Sequence, residues 1–321
     1  MSKVRLFVPY AITLAFLAWC VYSLNGDFAR LSLAPVLQSW DLVVLACALS
    51  LANYVLRIIR WRMYLKRLDV HVPLRFAALT FTAGFAYTVS PGKVGEMVRA
   101  RYFVPLGVPV GTIAAAFFAE RLLDLLAMAV LAALLFTAAS SHNQGMMVVV
   151  GAVGATLLLL VLTLVPWPAV TAWLTAHTGI PNRIRAVLVK ITTALTSTRV
   201  LLSPGLLLAG FTLGFLAWGL EGLGLGLLGS MFPPLHLDPV SGVGVYAVAV
   251  LIGGISFLPG GVGSTEAVMT ALLAAHGYSV SQALLITLTC RLVTLWLAVG
   301  LGWVAVFALR QWTAPEVTPW P

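Results

Sequence analysis

Charge is what this sequence has least of. Nineteen lysines and arginines and ten aspartates and glutamates make up 9% of 321 residues, against about a quarter in an ordinary soluble domain. So few charges cannot cover a water-facing surface of this size. The chain is 61% hydrophobic, with a mean hydropathy of +1.02. This excludes a soluble enzyme, a disulfide-bonded secreted scaffold, a disordered chain and a soluble nucleic-acid binder. Cysteine is also scarce: Cys20, Cys47 and Cys290 lie far apart in apolar stretches, and no CxxC or HExxH spacing occurs. His71, His142, His177, His236 and His276 are scattered, so no metal, redox site or cofactor is expected. A Walker motif, a G-x-S-x-G elbow and a dinucleotide fingerprint are all missing. Any transport is therefore not expected to run on ATP hydrolysis by this chain. What remains is an all-α polytopic membrane protein, with the net charge of +9 carrying topology information.

A spanning helix needs about 20 apolar residues. Candidate spans are 6–24, 40–58, 110–139, 146–166, 205–231 and 283–309. The first follows Lys3 and Arg5. It is longer than a signal-peptide core and lacks a convincing cleavage site, so it is read as a retained helix with a cytoplasmic N-terminus. Two apolar stretches are too short for full spans: Phe76–Val89, stopped by Ser90-Pro91-Gly92, and Val243–Leu258, stopped by Pro259-Gly260-Gly261. Each is followed by a weakly apolar piece, Val94–Val108 and Val262–Ala275. If 76–90 crossed fully, Lys93, Arg99, Arg101 and the basic segment 167–200 would face outward, against the positive-inside rule. Treating 76–109 and 241–278 as re-entrant hairpins from opposite sides puts every basic cluster and both termini in the cytoplasm. The expected architecture is a single integral membrane domain over 1–321, with about six full transmembrane helices plus two re-entrant helical hairpins. Segment 167–204 is expected to be a cytoplasmic connector. Within it Ile184, Val187, Leu188, Ile191 and Leu195 repeat at helical spacing, as in an interfacial helix on anionic headgroups or an ordinary connecting helix.

The hairpins resemble each other. Pro91-Gly92-Lys93-Val94-Gly95-Glu96 matches Pro259-Gly260-Gly261-Val262-Gly263 followed by Glu266, and Glu96 to Arg121 repeats the spacing of Glu266 to Arg291. This suggests inverted repeats, roughly 40–139 and 205–309. Gly/Pro-broken helices at matching positions point to a secondary-transporter binding site, although Pro-Gly pairs also end helices in any membrane protein.

Charge inside a membrane costs on the order of 2.5–3.5 kcal/mol at a helix centre, so intramembrane charges are candidate site residues. Glu120, Arg121 and Asp124 fall inside span 110–139. Glu120 and Asp124 share a face, and Arg121 is placed to pair with Asp124. Arg291 has no acid nearby in sequence and must find Glu266 or Glu221. These charges either bind a ligand or fix helix packing. The glycine turns expose helix N-termini that favour anions, and two such termini flanked by Arg121 and Arg291 would suit a phosphate headgroup. Glu96 and Glu266 are either caps or carboxylates that hold a proton or an amine. Arg57 is the deepest of the cluster Arg57, Arg60, Arg62 and the best headgroup contact among them.

Five motifs occur in order: Arg57-x-x-Arg60-Trp61, Pro91-Gly92-x-x-Gly95-Glu96-x-x-Arg99, Glu120-Arg121-x-x-Asp124, Leu258-Pro259-Gly260-Gly261-x-Gly263-x-x-Glu266 and Arg291-x-x-x-x-Trp296. Together they resemble the lysylphosphatidylglycerol synthase transmembrane-region family, similar to the flippase half of the bifunctional aminoacyl-phosphatidylglycerol synthase. The resemblance implies a multi-pass protein of a bacterial or archaeal inner membrane that moves a phospholipid or lipid-linked glycan between leaflets. No synthase domain is expected, since only Arg310–Pro321 follows the last span. The candidate headgroup site read from the charges, glycine turns and motifs above comprises Arg57, Gly92, Gly95, Glu96, Arg99, Glu120, Arg121, Asp124, Gly260, Gly261, Gly263, Glu266 and Arg291. Two other readings stay open: an enzyme acting on a membrane lipid, and a non-catalytic partner of a glycosyltransferase or lipid-modifying enzyme.

Overall fold

The structure, a computed structural model, describes residues 32–137, 165–176, 179, 181–256 and 258–311. The expected span 6–24, nearly all of 146–166 and the loop 140–145 lie outside these residues. Among those described, the regular structure is all helical.

After a short helix at Ala34–Gln38, α1 runs Trp40–Arg67. Its packed face carries Ser50, Asn53, Tyr54, Arg57, Arg60, Trp61 and Tyr64, while its open face carries Trp40, Val44, Leu51, Val55 and Ile59. In water this helix would be inside out. In a bilayer, hydrocarbon is the solvent for the apolar face, and the polar groups must be satisfied by protein. That explains why α1 extends nine residues past the expected end at 58: its arginines turn into the bundle. Asn53 Nδ2 donates to the Ala217 carbonyl at 2.7 Å, and Tyr54 O–H donates to the Thr294 carbonyl at 2.5 Å.

Helix α2 is Leu74–Phe85; a broken stretch over Pro91–Leu106 follows, then α3, Val110–Thr137. Next come α4, Trp167–Ala176; α5, Asn182–Leu201; α6, Pro204–Gly229; α7, Pro239–Ile255; and α8, Ser264–Ala275. Helix α9, Val280–Arg291, continues through a π turn at Leu292–Trp296 into α10, Leu297–Arg310. Among the described residues, three helices are long and apolar enough to cross a membrane: α1, α6 and the continuous Val280–Arg310. Helix α3 matches α1 in length but carries Glu120, Arg121 and Asp124. Helices α2 and α7 are apolar but short, about 18 and 25 Å at 1.5 Å per residue.

The two Pro-Gly turns differ in detail. Gly92 (φ 60°) and Lys93 (φ 56°) are both left-handed, so the segment after the first turn is a 3-10 stretch, Pro91–Arg99, and not the regular helix the pattern suggested. The second turn has Gly260, Gly261 and Gly263 at positive φ, then enters the regular helix α8. There the Gly263 N–H donates to Glu266 Oε2 at 2.5 Å, which closes the helix start.

Two apolar cores are built around this scaffold. One collects Ala127–Ala132 of α3 with α6, α7, α8 and α9; the other collects Ile113–Leu123 of α3 with the end of α1, α2 and α10. The charges of α3 and Arg291 lie where one core gives way to the other. Helix α10 meets α2 closely: a Cβ on Gly302 would fall 2.2 Å from the Ala86 nitrogen. Helix α5 packs on α3 and α4, with Ile184 open and Leu188 and Leu195 half-buried.

Helix α7 has a dedicated cap. Asp238 Oδ1 accepts from the N–H groups of Val240 and Ser241 at 3.0 Å each, and these bonds, Ser241 foremost, hold its carboxyl below the usual carboxylate range. Replacing a cap of this kind by alanine costs about 1 kcal/mol, whereas asparagine caps as well. Asp238→Ala is therefore expected to lower thermal stability in detergent by that amount at pH 7, and Asp238→Asn much less. The lowered pKa fixes the sign: the advantage of aspartate over alanine is present above about pH 4 and shrinks as pH falls through the folded value. Equal losses in both variants would show that the cap contributes nothing.

Candidate functional site

The buried charges form a chain of pairs. Arg60, fully buried, places Nη2 2.6 Å from Asp124 Oδ1 and donates from Nη1 to the Gly210 carbonyl at 3.3 Å. A Cβ on Gly214 would lie 2.6 Å from Arg60 Nη1, so that position has room only for hydrogen. Arg99 Nη2 lies 2.6 Å from Glu120 Oε2, with its guanidinium 4.3 Å from the Trp61 ring. Arg291 Nε lies 2.5 Å from Glu266 Oε1, and Nη2 donates to the Gly260 carbonyl at 2.9 Å. Glu266 is thus the partner of Arg291 as well as a helix cap. Arg121 Nη2 stands 3.1 Å from Asp124 Oδ2 and 3.6 Å from Glu96 Oε2 without forming a hydrogen bond to either. Glu96 Oε1 accepts from Thr88 Oγ1 at 2.8 Å.

The turns approach each other directly. A Cβ on Gly260 would be 3.4 Å from Val89 Cα, and one on Gly261 only 2.7 Å from Thr265 Oγ1. Both residues have φ +65°, so glycine is required twice over at Gly261, by conformation and by space.

The profile of the lysylphosphatidylglycerol synthase TM region family matches residues 6–302. The chain belongs to that family. It is accordingly a multi-pass membrane protein of a family linked to lipid handling. A 130-residue segment, 40% of this chain, is 28% identical to a UPF0104 membrane protein of Methanothermobacter thermautotrophicus. The match covers 38% of that relative's length.

In this family member a cavity of about 410 Å³ lies against the two turns. Of the sequence candidates, Arg57, Gly92, Arg121, Asp124, Gly260, Gly261 and Arg291 line it. Gly95, Glu96, Arg99, Glu120, Gly263 and Glu266 stand behind the wall. Arg99 and Glu120 are sealed among aromatic rings, and Gly95 is packed where a Cβ would fall 2.4 Å from the Tyr87 carbonyl.

The cavity brings forward residues that sequence reasoning did not select. Lys93 reaches over the Trp218 ring at 5.2 Å, and the Arg57 guanidinium lies over the same ring at 5.3 Å. Arg57 is 5% exposed and also stacks near Phe85 at 5.1 Å, while its Nε and Nη2 make no hydrogen bond. Among the described residues neither cation has a carboxylate within 4 Å. Glu221 lines the opposite side and accepts a hydrogen bond from the Tyr246 hydroxyl. The signal for Lys93 was its place inside the Pro-Gly motif, and for Glu221 a lone acid in an apolar span. Trp218 and Tyr246 gave no signal distinct from packing.

The outcome, among the described residues, is a mostly apolar cavity with fixed ion pairs in its wall and two unpaired cations facing its interior. Cation–aromatic contact stabilises such groups by about 0.5–2 kcal/mol, less than a counter-ion would. The described carboxylates therefore leave the positive charge at Arg57 and Lys93 without a direct partner.

Proposed function

We propose that the protein moves a lipid with an anionic headgroup between the leaflets of the membrane, without altering it covalently. The observation that carries this reading is the pair Arg57 and Lys93, unpaired over one tryptophan ring inside a cavity of a lipid-linked family member. A phosphate of a phospholipid or lipid-linked glycan supplies the missing charge. Glycine at 92, 260 and 261 lets the headgroup approach the backbone. Leu125 and Ile255, which line the cavity and are also exposed on the outer surface, mark a lateral exit for acyl chains into the bilayer.

In this reading the membrane domain crosses six times. The segments 76–109 and 241–278 enter from opposite faces as the two halves of an inverted repeat. The short lengths of α2 and α8, 12 residues each, support this, because neither would span hydrocarbon alone. Both termini lie in the cytoplasm of a bacterial or archaeal inner membrane.

The test is reconstitution into vesicles containing fluorescently labelled phosphatidylglycerol, with flipping read from dithionite quenching. Faster equilibration than in empty vesicles is expected, slowed by unlabelled phosphatidylglycerol but not by millimolar inorganic phosphate. Competition by free phosphate would reassign the seat to a soluble anion. A rate equal to that of empty vesicles for phospholipid and polyprenyl-phosphate probes alike would overturn the reading.

A further inference from the structure

Every other described acid around the cavity has a cation close by: Asp124 has Arg60 and Arg121, Glu120 has Arg99, Glu96 has Arg121, and Glu266 has Arg291. Glu221 does not. It is 4% exposed in the second half of α6, and its one described polar partner is the Tyr246 hydroxyl of α7, itself 2% exposed. The titratable and charged groups around it are Tyr54 and Arg57 of α1, Arg121 and Asp124 of α3, Tyr246 of α7, Cys290 and Arg291 of α9, and Lys93 of the first turn. Cys47 lies two turns further back along α1. Of the cations, Arg121 and Arg291 are already engaged by acids. Arg57 and Lys93 are not, and they are the two a headgroup phosphate would take.

One pair of cations thus faces two prospective anions. An ionised carboxylate buried in protein needs a cation, and a phosphate entering the same seat would take that cation away. Only one of the two anions, the carboxylate, can shed its charge in place, by taking up a proton.

We propose that Glu221 is a proton-coupling carboxylate, which takes up a proton when an anionic headgroup occupies Arg57 and Lys93 and gives it back to water when the headgroup leaves. The inference rests on the lipid-moving reading and supplies its regulation. The balance is simple. The seat gains one negative charge from the phosphate and one proton on Glu221, so cavity charge is the same loaded and empty. In the empty state the carboxylate serves as counter-ion to Arg57, and in the loaded state the Tyr246 hydroxyl holds the neutral acid in place. A monoanionic lipid then crosses together with one proton, and the step carries no net charge.

The experiment uses the full chain in vesicles with labelled phosphatidylglycerol, with a pH gradient imposed in each direction and the membrane potential clamped. Wild type is expected to move the lipid faster from the acidic to the basic side, with affinity on the loading side changing by up to tenfold per pH unit for one linked proton. In Glu221→Gln the remaining rate is expected to be indifferent to the gradient. Tyr246→Phe keeps the carboxylate and is expected to retain the gradient response with a displaced pH midpoint. Wild-type flipping that ignores the gradient overturns the proposal, as does a wild-type gradient response in Glu221→Gln. If wild type moves no lipid at any pH, it is the transport reading that falls.

Discussion

Glu120→Ala is expected to destabilise the protein by about 3–5 kcal/mol, because it strands a buried arginine without its counter-ion. Arg99 is 1% exposed, held 2.6 Å from Glu120 and enclosed by Trp61, Phe81 and Phe117. It has no path to water along which its charge could be relieved. The check is thermal unfolding in detergent, with the double variant Glu120→Leu/Arg99→Met alongside. Removing both charges restores a neutral, well-filled site, so the double variant is expected to recover most of the loss. A single variant as stable as wild type would show that the pair does not hold α3 to the first turn segment. Neither residue lines the cavity, so lipid movement in the double variant is expected to follow the recovered fold.

Arg57→Met is expected to do the opposite. Arg57 is buried over Trp218 and Phe85 with no described carboxylate within 4 Å, and Glu221 across the cavity can take up a proton when the cation is gone, so its replacement leaves no charge stranded. Stability is expected to hold or rise by about 1 kcal/mol, as substitutions at strained functional positions often do. Lipid movement is expected to fall at least tenfold. Lys93→Met should act in the same direction. Methionine keeps a non-glycine residue at this left-handed backbone position, where one costs on the order of 1 kcal/mol or more, so Lys93→Met isolates the loss of charge and Lys93→Gly adds the backbone relief. Arg57→Lys keeps the charge but not the planar fork and should retain part of the rate. A stable Arg57→Met protein with a full rate would remove Arg57 from the headgroup site. Unfolding measurements and flipping assays on the same preparations distinguish a site residue from a structural one.

The sequence was most legible where chemistry is forced. Charges in apolar stretches had to find partners, and several did, Arg121 with Asp124 and Arg291 with Glu266, while among the described residues Arg57 and Glu221 have no oppositely charged group within 4 Å. The Pro-Gly turns had to break helices, and both do. What could not be read was the division of labour. Spacing along a helix says which residues share a face, but not which neighbour faces them. Glu120 and Asp124, four residues apart, go to two arginines from different elements, Arg99 and Arg60. Arg121 and Arg291, expected to flank the anion, are largely spent on carboxylates. Arg57 was identified, but its freedom from any partner is a three-dimensional fact. Lys93 was passed over because a lysine beside a Pro-Gly turn reads as topology charge, and its left-handed backbone has no sequence signature outside glycine, asparagine and aspartate. The π turn after Arg291 was equally invisible, since it changes the hydrogen-bond register and not the composition.

The contact between the two turns sets a limit on how the protein can leak. Val89 and Gly260 lie so close that a Cβ on Gly260 would stand 3.4 Å from Val89 Cα, with Gly260 in the cavity wall. The Arg291 bond to the Gly260 carbonyl holds that approach in place. Under the proposed lipid-moving function, a headgroup crossing the cavity must part this approach or slip by it past Trp218, and exclusion of small ions would depend on the same seam.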